Sequence, residues 1–172
     1  MADELQIFRE LVGQHQSMVF SIALRICRDR GAAEEIAQDV FLELHRNLRK
    51  LKSAEHVENW LRRVSTHRTL DWLRKRKTDP QRDAEEFDET WERAGWFGGA
   101  SSRVGSQLEA LVQSLPETQR VVIVMRYQEE MTAEEIAEML RVPVATVKSQ
   151  LQRALVMLRR KGNGVLKEYV RG

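Results

Sequence analysis

Residues 131–160 read MTAEEIAEMLRVPVATVKSQLQRALVMLRR, and the way this stretch folds decides the architecture of the whole chain. Thr132 followed by Glu135 has capping-box spacing, in which two side chains satisfy the first free N–H groups reciprocally; a helix is predicted from Ala133. Ile136, Ala137 and Leu140 recur at helical spacing and form its buried face. Pro143 cannot donate to a continuing helix, so RVP ends this one within three turns. A new helix is predicted from about Val144, with Val147, Leu151, Ala154, Leu155 and Leu158 as its apolar stripe. Two helices joined by a short turn, the second long and basic, make a helix-turn-helix. Ala137 is small where the two would cross.

The outward face of the second helix carries Thr146, Lys148, Ser149, Gln152 and Arg153, which can donate to phosphates and to base edges in a major groove. Residues 141–161 hold six positive charges and no acid. Arg159, Arg160 and Lys161 are accounted for by the favourable placement of cations toward a helix C-terminus. An acid-free face near the N-terminus of the same helix is not, and it points to DNA.

The 172 residues carry 28 Lys/Arg and 26 Asp/Glu, but the net charge of +2 hides an uneven distribution. Residues 1–77 hold 15 basic against 11 acidic side chains, 78–107 hold 3 against 7, and 108–172 hold 10 against 8. Only three prolines occur (Pro80, Pro116, Pro143), and strand-like alternation is nearly absent. The expected fold is all-α: two small helical bundles, 1–77 and 106–172, joined by a flexible acidic linker at 78–105. Helices are expected at about 4–28, 32–51 and 57–77, with Gly31 suited to a left-handed cap, and four more follow between 106 and 160, broken at Pro116, EEM and RVP. The linker's Trp91, Trp96 and Phe97 are too many for a purely solvated tether, so part of it is expected to dock.

Several classes are disfavoured. No apolar run approaches the roughly 18 residues of a membrane span, and the acidic start MADELQIFRE lacks the pattern of a secretory signal. Cys27 is the single cysteine and reads as a small buried hydrophobe; with four scattered histidines, no metal or other cofactor is expected. GWFGGAS has no lysine and no strand–helix context, so it is not a phosphate-binding loop. A cytoplasmic protein without catalytic machinery is expected.

AEEIA occurs at 133–137 and again at 33–37, but the flanks differ and there is no repeat. In the earlier helix Ile36, Ala37, Val40, Phe41, Leu44, Leu48 and Leu51 share one arc, with Glu35, Gln38, Asp39, His45 and Arg46 opposite. Leu42 lands in the middle of that polar side. Spacing leaves open whether it is an ordinary exposed leucine or the apolar centre of a polar-rimmed interface. The following helix, ENWLRRVSTHRTLDWLRKRK, interleaves Trp60, His67 and Trp72 with seven cations. Aromatics along a basic groove stack the bases of single strands; alternatively Trp60, Leu61 and Val64 are core, the expected outcome for the last two.

The stretch SLPETQRVVIVMRYQEEMTAEEIAEMLRVPVATVKSQLQRALVMLRR resembles domain 4 of bacterial sigma factors, the module that recognises the promoter -35 element. The resemblance rests on LP…QR before an apolar helix, EEIAEML, and TVKSQLQRA running into LR. AEEIAQDVFLELHRNLRKL and WLRRVSTHRTLDWLRKRK together resemble domain 2. Their order and separation are similar to the extracytoplasmic-function (group 4) sigma factors of the sigma-70 superfamily, which keep only these two domains. The resemblance implies contacts to core RNA polymerase, at the β′ clamp coiled coil, from Glu35, Gln38, Asp39, Leu42 and Glu43, with the β subunit as a further partner. It implies -10 recognition and melting by Trp60, Arg63, His67, Arg68, Trp72, Arg74 and Lys75, and -35 recognition by Thr146, Lys148, Ser149, Gln152 and Arg153. His67 stands where many relatives carry asparagine, and Ala145 where many carry glycine. An anti-sigma factor is a further implied partner, and the linker would thread toward the RNA-exit path. The competing reading, a free-standing helix-turn-helix regulator, leaves the N-terminal module without a task.

Overall fold

The computed structural model describes residues 2–77 and 109–171, with side chains through 162. The predicted linker, with Trp91, Trp96 and Phe97, lies outside the described residues. Every regular element among them is helical, and the chain divides into two compact units, Met1–Asp83 and Ala84–Gly172.

The N-terminal unit is a three-helix bundle. Helix α1 (Ala2–Cys27) buries Val19, Ile22, Ala23 and Ile26 at three- and four-residue spacing. It ends at Arg28, whose φ of 62° is left-handed and whose N–H reaches Leu24 O at 2.8 Å. The predicted left-handed cap at Gly31 is therefore displaced by three residues. The reason is Asp29: its backbone is extended and its carboxylate accepts from Ala32 N at 2.9 Å, which starts α2 (Arg30–Asn47) early and draws Gly31 into its first turn. Helix α2 gives way to a 3₁₀ turn at Leu48–Lys50. Ser53 then caps α3 (Ala54–Lys77) by accepting from His56 N at 3.1 Å, so α3 begins three residues ahead of the expected Val57. All three helices pack on one another. Ile36, Val40 and Leu44 of α2 meet the α1 stripe and Val57, Trp60, Leu61 and Leu73 of α3 in one apolar core, each fully buried aliphatic contributing about 1.5–3 kcal/mol. Val64 is half-buried rather than core. Thr66 and Thr69, both buried, return their hydroxyls to the carbonyls of Arg62 and Ser65 and so leave no exposed polar demand on the core.

Arg49 of the 3₁₀ turn reaches back to Glu4, with Nε at 2.6 Å from the carboxylate. This hydrogen bond, with the attraction of opposite charges, holds the Glu4 carboxyl below its ordinary range. The contribution is present above that ordinary range and is lost as the pH falls through the depressed value; with Arg49 exposed and Glu4 half-buried, it is screened by salt.

In the C-terminal unit a helical segment at 109–113 leads through Ser114 and Leu115 to α4 (Glu117–Ile123). The buried Arg120 donates to Leu115 O at 2.9 Å and closes that turn. Helix α4 widens into a π turn at Val124–Gln128, with Glu129 N bonded to Val124 O at 3.2 Å, and the chain reverses at Glu130, φ 54°. The capping box forms as predicted: Glu135 N donates to Thr132 Oγ1 at 3.2 Å, and Thr132 N to Glu135 Oε2 at 2.7 Å. Helix α5 (Ala133–Leu140) buries Ile136, Ala137 and Met139, while Leu140 is only half-buried. It closes with a Schellman arrangement on Arg141, φ 57°: Val142 N bonds Ala137 O at 3.1 Å and Arg141 N bonds Glu138 O at 3.3 Å. Helix α6 (Val144–Arg171) packs on α4 and α5 through Val147 and Ala154. It runs past Gly162, beyond the expected end near Arg160; a Cβ on Gly162 would stand 3.8 Å from Leu111 Cδ1.

Two substitutions test these junctions. Asp29→Ala removes the α2 cap and should lower the stability of the N-terminal unit by about 1 kcal/mol in urea unfolding. Glu130→Gly relieves a left-handed residue and should raise that of the C-terminal unit by about 1 kcal/mol.

Candidate protein- and nucleic-acid-binding faces

Burial of Ile36, Val40 and Leu44 turns the opposite side of α2 to solvent. Glu35, Gln38 and Asp39 are exposed, Glu43 is half-buried, and Leu42 at their centre is 57% exposed. This is a large apolar side chain inside an acidic rim, on a helix whose core face is already complete. A contact that spacing does not reveal joins this rim to α3. Arg68 places Nε at 2.9 Å and Nη2 at 2.6 Å from Glu43 Oε2, with Nη1 at 3.8 Å from Asp39 Oδ2. The partners lie 25 and 29 positions apart in sequence, and only the packing of α2 on α3 brings them together.

The candidate residues of α3 divide by position. Trp60 is buried in the core, at 9% exposure, so little of its ring is open to a nucleic acid in this structure. The cause is its place one residue before Leu61 on the stripe packed against α1 and α2. Arg63, His67 and Arg74 share one stripe at four- and seven-residue spacing, with Arg63 and Arg74 exposed and His67 half-buried. Arg68, Trp72 and Lys75 share a second. On it the Arg76 guanidinium lies 5.2 Å from the Trp72 ring centroid while its Nη1 approaches Asp29 Oδ2 at 3.9 Å. Arg74 pairs with Asp71 at 3.2 Å. The RKRK end of α3 is thus partly neutralised by its own fold, leaving exposed cations around a half-buried indole.

On α6, Thr146, Lys148, Ser149, Gln152 and Arg153 are all exposed, and Val147 and Ala154 face inward. The first turn carries no acid. Lys148 lies 3.9 Å from Glu134 of α5, an exposed and weak pair. The same unit exposes a further aromatic and cation pair on the π turn. Tyr127 is 57% exposed on the π turn, and the Arg126 guanidinium lies 5.7 Å from its ring centroid. The π turn itself has no sequence signature, so the outward swing of Tyr127 was not legible. Among the described residues no cluster of His, Cys, Asp and Glu can hold a metal ion, and no helix is long and apolar enough to cross a membrane.

The family model for Sigma-70 region 2 matches residues 11–78, and that for Sigma-70 region 4 matches residues 106–158. The chain belongs to the sigma-70 family. Its relatives place it in the extracytoplasmic-function branch. It is 28% identical over 171 residues to the ECF RNA polymerase sigma factor SigW of Bacillus subtilis, covering 90% of this chain and 88% of that protein. It is 30% identical over 156 residues to SigE of Mycolicibacterium smegmatis, covering 87% of this chain and 59% of that one. Among solved structures, the sigma factor RpoE of Bartonella quintana, in complex with the anti-sigma factor NepR, shares the fold. The TM-score is 0.68 and the identity 15%, over 92% of this chain and 98% of that chain.

Region 2 of this sigma factor thus runs from Leu11 of α1 through α3, and region 4 ends within α6, just past the exposed face that carries Gln152 and Arg153. The division between the two tryptophans of α3 has a direct test. Trp60→Ala should cost the N-terminal unit about 3–5 kcal/mol in urea unfolding. Trp72→Ala, on the half-exposed side, should cost no more than about 1 kcal/mol.

Proposed function

We propose that this sigma factor binds core RNA polymerase and directs promoter-specific initiation, reading the -35 element as duplex and trapping the -10 element as melted single strand. The observation that carries the proposal is the pairing of two units, each matching one sigma-70 region, with an outward surface suited to its region's task. The α2 face, with Leu42 as apolar anchor inside a rim of Glu35, Gln38, Asp39 and Glu43, is assigned to polymerase. An apolar centre within a polar rim is the usual anatomy of a protein interface, and the acids favour a cationic partner surface. Arg63, His67, Arg68, Trp72, Arg74 and Lys75 of α3 are assigned to the -10 strand, with Trp60 supporting them from the core. Thr146, Lys148, Ser149, Gln152 and Arg153 of α6 are assigned to the major groove at -35. The working boundaries are 1–77, 78–105 and 106–172.

Melting then needs no nucleotide hydrolysis. Extruding a base costs a few kcal/mol and stacking it on an aromatic returns about 1–3 kcal/mol; contacts at -35 and to polymerase supply the remainder. The role is non-catalytic, it is exercised in the cytoplasm at the nucleoid, and an anti-sigma factor covering the same faces would hold it in check. A free-standing regulator is not favoured, because the region 2 match gives the N-terminal unit a task that such a regulator does not require.

Run-off transcription with core polymerase on a genomic promoter library tests the reading; absence of any promoter-specific product would sink it. At finer grain, Leu42→Arg should weaken core binding by more than about 30-fold, the loss expected of a central anchor worth about 2 kcal/mol. Its thermal unfolding should match that of the parent, since the side chain is 57% exposed. Unchanged core affinity would refute the anchor role.

A further inference from the structure

The three charges that join α2 to α3 belong to both proposed faces. Glu43 and Asp39 stand one helical turn apart on the polymerase side, and Arg68 belongs to the -10 side. In the free protein Arg68 spends its Nε and Nη2 donors on Glu43 Oε2, at 2.9 and 2.6 Å, and turns Nη1 toward Asp39 at 3.8 Å. A guanidinium so engaged is a poor phosphate ligand. Its charge is offset by two carboxylates, and two of its five N–H donors are used. The exposed candidate cation of mid α3, Arg63, has no ion-pair partner among the described residues, so among the mid-α3 candidates this arrangement belongs to Arg68. The group is open to solvent on both sides: side-chain exposure is 40% for Arg68, 34% for Glu43 and 56% for Asp39. An approaching cationic surface or an approaching phosphate can therefore reach its half of the cluster without unfolding anything.

We infer that Glu43 and Asp39 act as a latch on Arg68, and that a cationic polymerase surface docking on these carboxylates releases Arg68 to bind the -10 strand. The inference rests on the assignment of α2 to polymerase and α3 to DNA. A cation arriving at the carboxylates competes with Arg68 for them, and a phosphate arriving at Arg68 competes with the carboxylates for it. Each event removes the obstacle to the other, so the two bindings are positively coupled, and by linkage the coupling is reciprocal. Its size is that of a half-exposed ion pair, a few-fold in affinity.

The test uses the full-length chain and a labelled single-stranded DNA oligonucleotide of mixed sequence, without polymerase, at low salt. Glu43→Gln should tighten binding by about two- to five-fold, and Asp39→Asn by less, in keeping with its longer contact. Glu35→Gln removes the same charge from the same helix without touching Arg68 and is the measure of the general effect of charge. In an Arg68→Gln background the advantage of Glu43→Gln over Glu35→Gln should vanish, which a merely structural role for the pair would not produce. A Glu43→Gln gain no larger than that of Glu35→Gln, a gain that persists without Arg68, or no binding by either variant overturns the latch. In holoenzyme assembled at saturating polymerase the gain should disappear, because the carboxylates are already occupied; a retained gain overturns the release step. Run-off transcription by the parent chain reports on the initiation reading separately, so failure of that reading and failure of the latch are distinguished.

Discussion

The N-terminal unit depends on one seam: Ile36, Val40 and Leu44 of α2 pressed against α1 and α3. Their four-residue spacing fixes the rotation of α2 about its own axis, since any other rotation would carry three large aliphatics into water. At about 1.5–3 kcal/mol apiece, that preference far exceeds the cost of exposing a single leucine. Leu42 is consequently held outward, together with the carboxylates that surround it, and the interface candidate is a by-product of the core. The same constraint acts on α3, where burial of Val57 and Leu61 carries Trp60 inward and leaves Arg63 outside.

The C-terminal unit relies on backbone chemistry more than on volume. Helix α5 is barely two turns long, too short to persist alone. It is held at one end by the reciprocal bonds of Thr132 and Glu135 and at the other by the Schellman bonds around Arg141. Between them Ile136 and Ala137 pack on α6. Because both ends are specified, the angle at which α6 leaves the turn is specified too, and with it the direction of Lys148, Ser149 and Gln152. That a left-handed arginine occupies a position suited to glycine means that the turn is kept at some cost in backbone energy.

Much of this was legible in the sequence, for identifiable reasons. Capping boxes and prolines are local signals, so the bounds of α5 and the start of α6 are readable directly. The α2 stripe and the isolation of Leu42 follow from periodicity alone. What was not legible is either non-local or set by a contact that no periodic pattern contains. Gly31 is the residue suited to a left-handed cap, yet the cap falls on Arg28, because the Asp29 carboxylate bonds to Ala32 N and starts α2 early. Trp60 and Trp72 carry the same aromatic chemistry on one basic helix, and only the packing of α3 tells core from surface. The pairing of Arg68 with Glu43 requires knowing which residues of two helices lie abreast, which no single-helix pattern contains.

The charge pattern of α3 ties it to α2. Seven cations in sixteen residues suggest a helix waiting for an anion, yet the fold answers several of them internally. Arg62 pairs with Glu58, Arg68 with Glu43 and Asp39, Arg74 with Asp71, and Arg76 with Asp29 and the Trp72 ring. These pairs are not equivalent. Glu58 and Asp71 lie on α3 itself, so their pairs move with the helix and report nothing about its neighbours. The carboxylates facing Arg68 and Arg76 come from α2 and its cap, so those pairs depend on how α2 is engaged. Half-exposed pairs contribute little to stability, which makes them poor staples. For the same reason they can exchange partners at small cost, as the proposed latch requires.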